Sequence, residues 1–219
     1  MSRPLHRIML GLVCLAGWSL PAPAQDSVTE KQLNVRLLEF SKQGDEARAR
    51  KMVEEGAAVN SRNRNGDTPL MLWTRASKLD MVRWLIEKGA NVNQEALDHT
   101  TPLMAAAYAG DIAIMSELLA AGAEIDRVDQ VGKTAMIYAA AQGKPQTVAL
   151  LLDRGVDSNR LYKHNLTALM WAAGYGKTEA VQVLLKRGAD ASLRDDRGKT
   201  AADIAADQGH KEVAALLSR

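Results

Sequence analysis

The chain has 219 residues, of which 47% are hydrophobic, 25% are charged and only 4% are aromatic. Its 28 Lys and Arg residues nearly balance its 26 Asp and Glu residues, which argues against a nucleic-acid binder, because such a protein carries a clustered basic excess. A single cysteine excludes a fold that depends on intramolecular disulfides.

Residues 1–24 have the pattern of a secretory signal peptide. Two arginines precede a 13-residue apolar run (8–20), and Ala22 and Ala24 have the spacing of a cleavage site. The run is shorter than the roughly 20 residues that span a bilayer, and Cys14 lacks the preceding small residue that a lipoprotein signal needs. We therefore expect a periplasmic or secreted protein, cleaved after Ala24. Cleavage would leave 26 basic and 26 acidic residues and no cysteine.

From about residue 30 the sequence repeats with a period of 33 residues, and such a period is the signature of a repeat architecture. The units are marked by one threonine and by two glycines, with Val35 at the threonine position of the first unit and Ser77 at the first glycine position of the second. The threonines are Thr68, Thr101, Thr134, Thr167 and Thr200; the first glycines are Gly44, Gly110, Gly143, Gly176 and Gly209; the second are Gly56, Gly89, Gly122, Gly155 and Gly188.

Each unit is predicted to form two short antiparallel helices and a loop. The threonine caps the first helix through its hydroxyl, and Pro69 and Pro102 take the first helical position, where a missing N–H costs nothing. Small residues follow, which let neighbouring helices approach, and each glycine ends a helix. The two outer units are expected to act as caps with polar outer faces. The predicted units span 30–62, 63–95, 96–128, 129–161, 162–194 and 195–219.

Three Gly-Lys-Thr triplets, at 132–134, 176–178 and 198–200, raise the possibility of a nucleotide-binding phosphate loop. Such a loop needs a glycine five residues before its Gly-Lys pair, and the chain has Arg127, Trp171 and Leu193 there. The repeat explains the triplets instead, since two of them end in a helix-capping threonine and the third begins with the helix-ending Gly176.

The segments "DDRGKTAADIAADQGH", "LLKRGADASL" and "LIEKGANVN" resemble the ankyrin-repeat family, and the likeness extends from about residue 30 to residue 219. The resemblance implies an all-α solenoid of helix-turn-helix units with β-turn or hairpin loops. It also implies non-catalytic protein binding through a concave face. One departure is systematic: the family's histidine four positions into T-P-L-H is replaced, so apolar packing must join the units. The replacements are Met71, Met104, Ile137, Met170 and Asp203.

No residues are predicted to be catalytic or to bind a metal or cofactor. His99, His164 and His210 are widely separated and lack metal-ligand spacing, and His210 fits a helix start. Two alternatives stay open. Some small exported bacterial ankyrin proteins are associated with peroxide resistance, which implies an accessory factor for an exported enzyme. The other alternative is an enzyme hosted on the repeats.

The resemblance also implies where a partner binds. In the family, contacts come from one, three and four residues before the threonine and from four, seven and eight after it. We expect a monomer that binds a protein, and neither nucleic acid nor, after cleavage, a membrane. The predicted contacts are Leu97, Asp98, Thr100, Tyr108, Gln130, Val131, Lys133, Tyr138, Gln142, Lys163, His164, Leu166, Trp171 and Tyr175. The flanking units supply Arg64, Asn65, Asp67, Arg75, Asp196, Arg197, Lys199 and Asp207.

These positions predict an aromatic and aliphatic stripe with charged ends, the distribution of a protein interface. Tyr138 and Trp171 also fit a packing role, and Trp73 is expected in the core or at a local widening between units. Two loops, 94–102 and 160–168, lack the usual aspartate and turn glycine and each carry a histidine. They fit either a tuned binding loop or drift in an exposed segment.

Overall fold

The computed structural model describes residues 29–218, so the predicted signal peptide lies outside the described residues. Within this range the chain forms twelve α-helices and no strand, and none of the helices is both long and apolar enough to cross a membrane. The helices are α1 (Glu30–Gln43), α2 (Glu46–Glu54), α3 (Pro69–Arg75), α4 (Leu79–Glu87), α5 (Pro102–Ala109), α6 (Ile112–Ala120), α7 (Ala135–Gln142), α8 (Pro145–Asp153), α9 (Ala168–Gly174), α10 (Thr178–Lys186), α11 (Ala201–Asp207) and α12 (Lys211–Leu217).

The helices stack in two layers, and the all-α solenoid is confirmed. Each odd-numbered helix from α1 to α11 packs on the next odd-numbered helix, and the even-numbered helices from α4 to α12 form the second layer in the same way. Close approach in the first layer depends on alanines that are completely buried. One apolar core therefore runs through all six units. The buried alanines are Ala106, Ala107, Ala139, Ala140, Ala172 and Ala173.

The repeat threonines cap the first helices, as predicted. Each of the five hydroxyls accepts a hydrogen bond from the backbone N–H three residues later, at 3.2–3.4 Å. Gly132 and Gly198 have φ angles of 88° and 78° and occupy tight turns two residues before a capping threonine. The Gly-Lys-Thr triplets are thus parts of turns and helix starts.

Asparagines in the connections between units form hydrogen bonds to the backbone of the next unit. Asn60, Asn93 and Asn159 each donate their amide N–H to a glycine carbonyl 29 residues later and accept from a backbone N–H 31 residues later. In the third unit Asp126 takes this position and forms an ion pair with Arg160. The third and fourth units are therefore joined by side-chain charges where the other units use a bidentate amide.

The first unit differs from its prediction. Val35 does not mark the helix start, because α1 begins at Glu30 and is capped by Thr29 in a reciprocal capping box with Gln32. The extra turn lengthens the first helix at its N-terminal end. Trp73 is fully buried, as expected, and its indole N–H donates to the Ser41 hydroxyl at 3.0 Å, joining the first two units.

Four of the five residues that replace the family histidine are buried where the loop meets the helix. Met71, Met104, Ile137 and Met170 are at most 2% exposed, whereas Asp203 accepts hydrogen bonds from the backbone and hydroxyl of Thr200. Apolar packing therefore joins the central units, as the sequence predicts.

We predict that Met104→Ala lowers the free energy of unfolding by about 2–5 kcal/mol, because it leaves a cavity between two units. Met104→Leu, which conserves volume, is expected to cost less than about 1.5 kcal/mol. Denaturant unfolding followed by circular dichroism measures both. A loss below about 1 kcal/mol for the alanine variant would show that this packing does not join the units.

Candidate functional site

Four aromatic side chains and one lysine form a continuous row along one side of the first helices. Tyr108 and Tyr138 meet edge to face with ring centroids 6.0 Å apart, and Trp171 and Tyr175 stack with centroids 6.1 Å apart and planes 10° apart. Lys133 joins the two pairs, since its Nζ lies 5.8 Å from the Tyr138 centroid and 4.9 Å from the Trp171 centroid. We call this row, with the loop tips beside it, the groove.

The row combines exposed and half-buried rings. Tyr108 and Tyr175 keep 52% and 51% of their surface exposed, which is high for residues of this size. Tyr138 and Trp171 are half-buried and pack against the core, so the packing role considered for them applies. They also line clefts that open on the groove, with Tyr138 beside Tyr108 and Trp171 between two neighbouring clefts.

Asp129 ties the row to its loop. Its carboxylate accepts hydrogen bonds from the backbone N–H groups of Val131 and Lys133, at 2.9 and 2.8 Å, and from the Tyr138 hydroxyl at 2.6 Å. Burial raises the pKa of Tyr138 well above its ordinary value, and the hydrogen bond and negative charge of Asp129 raise it further. The tyrosine is thereby held neutral, with its ring fixed beside Lys133.

Trp171 carries an unpaired buried donor. Its indole Nε1 is buried and has no hydrogen-bond partner within residues 29–218. An unsatisfied buried donor costs about 1–3 kcal/mol, and native proteins keep few of them. A phenylalanine would avoid that cost, so the indole has an energetic disadvantage at this position.

The two unusual loops retain one backbone hydrogen bond of the others. In the standard loops Asn63, Asp129 and Asp195 accept amide hydrogen bonds from residues two and four positions later. Ala96 and Tyr162 offer no such acceptor, yet their amides still bond to the carbonyls four residues on. The left-handed turn is occupied by His99 at φ 62° and by Asn165 at φ 55°, in place of glycine.

Both loop histidines contact carboxylates. His99 Nδ1 lies 2.7 Å from Glu95 Oε1, and His164 Nδ1 lies 2.8 Å from Asp196 Oδ2 in the following unit. His210 precedes α12, where the sequence predicts a helix start. Across residues 29–218 no three His, Cys, Asp or Glu side chains are grouped so that they could hold a metal ion.

At the ends of the groove, charged side chains are paired. Arg75 donates to Asp67 at 2.7 Å, and Lys199 forms an ion pair with Asp207. Asp195 is buried, which alone would raise its pKa, but hydrogen bonds from the Lys199 backbone N–H and from Arg197 outweigh burial and lower it. These pairs satisfy one another within the protein.

The remaining predicted contact residues lie at the loop tips and along the helices. Leu97 and Val131 are 66% and 57% exposed, Asp98, Gln130, Lys163 and His164 are exposed, and Gln142 and Leu166 are half-buried. Tyr162 was not predicted, although it lines the cleft beside Lys163 and burial raises its pKa. Tyr162 lies five residues before Thr167, where the pattern normally has a turn aspartate. The presence of a tyrosine there was the only sequence signal that this residue lines the groove.

Comparison with known proteins gives one family. Three copies of a family model described as ankyrin repeats match residues 37–129, 93–162 and 136–219. A search of curated proteins found no match. The three copies overlap and together cover most of the chain.

The bond between Tyr138 and Asp129 gives a pH-dependent prediction. The pKa of Tyr138 in the folded state is raised above the unfolded value of about 10. The stabilisation that the neutral tyrosine provides is therefore complete below about pH 10 and is lost as the pH rises further. Between about pH 10 and pH 11.5, the free energy of unfolding, measured with denaturant, should fall less with pH for Tyr138→Phe than for the wild type.

Tyr108→Phe is the matched control, because the Tyr108 hydroxyl makes no hydrogen bond within residues 29–218. Equal pH dependence of the wild type and Tyr138→Phe, or an equal change in both variants, would contradict the role given to Asp129.

Proposed function

The chain belongs to the ankyrin-repeat family, whose members are generally protein-protein interaction modules, and on that basis we propose that it binds a partner protein or extended peptide through the groove without catalysis. The observation that carries this proposal is the continuous row of Tyr108, Tyr138, Lys133, Trp171 and Tyr175. Exposed aromatic rings at the centre of a rigid surface are the residues that most often dominate binding energy.

The residue types and the charges of the groove support the same proposal. Its centre is aromatic and aliphatic, whereas its ends carry the charged pairs Arg75–Asp67 and Lys199–Asp207. This is the arrangement of an apolar interface core within a polar rim, and a standard interface would cover about 800 Å² of each partner. The alternative of an accessory role for an exported enzyme, including one in peroxide resistance, rests on the family resemblance, and no described contact favours it.

We also propose that the protein acts outside the cytoplasm, in the periplasm or after secretion, as a monomer. The support is the pattern of residues 1–24, in which a basic start, a short apolar run and Ala22 and Ala24 are combined. A location outside the cytoplasm restricts the partners to exported proteins.

The export proposal predicts a defined mature N-terminus. Expressed in a Gram-negative bacterium, the chain should appear in the periplasmic fraction with Gln25 as its first residue, which intact-mass spectrometry and N-terminal sequencing measure. An Ala22→Leu/Ala24→Leu variant should accumulate uncleaved. An uncleaved wild-type chain in the cytoplasmic fraction would contradict export.

The binding proposal predicts loss of partners when three rings of the row are removed. A Tyr108→Ala/Trp171→Ala/Tyr175→Ala variant should capture partners from a periplasmic extract at least about tenfold less than the wild type, because truncated central aromatics typically cost more than 1 kcal/mol each. Quantitative mass spectrometry of the captured proteins provides the measurement.

The matched control is Val128→Ala/Leu161→Ala, which removes two side chains that are 51% and 52% exposed and lie outside the predicted contact positions. It should capture partners as the wild type does. Equal capture by the aromatic variant, with an unchanged melting temperature, would remove the groove from consideration.

A further inference from the structure

The loop tips of successive units are linked by backbone hydrogen bonds, with one exception. Leu97 N–H donates to Asn65 O at 2.9 Å, Gln130 N–H to Asp98 O at 2.9 Å, and Asp196 N–H to His164 O at 3.1 Å. The equivalent pair between the fourth and fifth units is Lys163 N–H and Val131 O, and among residues 29–218 neither group has a backbone or side-chain partner.

The cause of the exception lies in the loop that contains Lys163. Residues Lys163–Asn165 form a short 3₁₀ turn in which His164 and Asn165 both take left-handed backbone angles, with φ 62° and 55°. No other loop tip in the described residues has two consecutive left-handed residues. In the other loops the equivalent donors, Leu97, Gln130 and Asp196, lie in turns without a second left-handed residue, and their amides reach the preceding unit.

A cleft of about 330 Å³ opens where the two loops fail to pair. Its walls are apolar below, where Ile137, Leu166 and Trp171 lie, and basic at the rim, where Lys133 and Lys163 lie. The Lys163 stem crosses the neighbouring loop, since a Cβ placed on Gly132 would be 3.6 Å from its Cβ and Cδ atoms. Both lysines therefore border one apolar cavity.

The two lysines lack negative partners. Neither Lys133 nor Lys163 forms an ion pair within the described residues, whereas Arg75, Arg197 and Lys199 at the groove ends all do. The nearby carboxylates are already engaged, because Asp129 accepts from Tyr138 and from two backbone amides, and Asp196 contacts His164. The cleft thus carries two lysine ammonium groups, neither of which makes an ion pair with a carboxylate of residues 29–218.

We propose that this cleft binds an extended, acidic segment of the partner, an inference that rests on the proposed function of the groove. A large apolar side chain of the segment enters the cavity above Trp171, and a carboxylate beside it pairs with Lys133 and Lys163. The free N–H of Lys163 and the free carbonyl of Val131 pair with the backbone of the segment, as a sheet edge does with an added strand.

The geometry of an extended chain fixes the spacing of the two side chains. Alternate residues of a strand point to the same side, so an Asp or Glu two positions from a Leu, Ile, Phe or Met faces the cleft together with it. The segment is expected to be internal in the partner, because backbone pairing on both loops lets the chain continue in each direction.

The test uses a phage-displayed library of random linear peptides selected on the purified protein. Enrichment of an acidic residue two positions from a large apolar residue is expected. A synthetic peptide from the enriched set, capped at both ends, should bind the Lys133→Gln/Lys163→Gln variant at least about tenfold more weakly than the wild type in fluorescence anisotropy, because the central charge pairs are lost.

Lys186→Gln/Lys211→Gln is the matched control, since it removes the same charge from exposed positions of α10 and α12. It should bind the peptide as the wild type does, and the wild-type affinity should fall as salt is raised. Failure to enrich peptides, or enrichment without acidic residues, would overturn the proposal. Better binding by peptides with a free C-terminus than by capped ones would overturn the internal segment.

The outcomes separate this inference from the proposed function. Peptide binding that disappears in the Tyr108→Ala/Trp171→Ala/Tyr175→Ala variant but is unchanged in Lys133→Gln/Lys163→Gln would remove the acidic segment and keep the groove. Binding unaffected by either variant would remove both.

Discussion

The structure depends on one constraint, which is that no unit can bury its apolar side alone. Two short helices expose too much apolar surface to be stable in water, so each unit requires a neighbour on that side. Fully buried alanines such as Ala106 and Ala140 keep the first helices close, and the buried methionines Met71 and Met104 fill the joints. The groove is a consequence of this stacking, because it brings residues of three successive units into a single row.

The candidate site lies where the repeated hydrogen bonds between neighbouring units are replaced or missing. Between the third and fourth units, Asp126 and Arg160 replace the bidentate asparagine, and between the fourth and fifth units the loop tips do not pair. Both changes flank the fourth unit, which supplies Lys133 and Tyr138 to the aromatic row. A repeat protein can vary such positions at low cost, because contacts are limited to neighbouring units. Both changes therefore border the unit at the centre of the proposed binding surface.

Much of the fold could be predicted because its determinants are local and periodic. The capping threonines and the helix-ending glycines act within a few residues, so Thr134 and Gly143 marked their helix from sequence alone. The long first helix was missed because Thr29 lies out of phase with the repeat. The aromatic row followed from family positions, whereas the cleft did not. Two consecutive left-handed residues at His164 and Asn165 depend on backbone energetics that residue identities do not reveal.

The central claim is that the groove, and not the outer layer of helices, contacts the partner. Amide hydrogen exchange of the protein alone and with its captured partner tests this most directly. The account predicts slower exchange on binding in residues 129–138 and 162–175, with unchanged exchange in α8 (Pro145–Asp153) and α10 (Thr178–Lys186). Slower exchange confined to the even-numbered helices would contradict it.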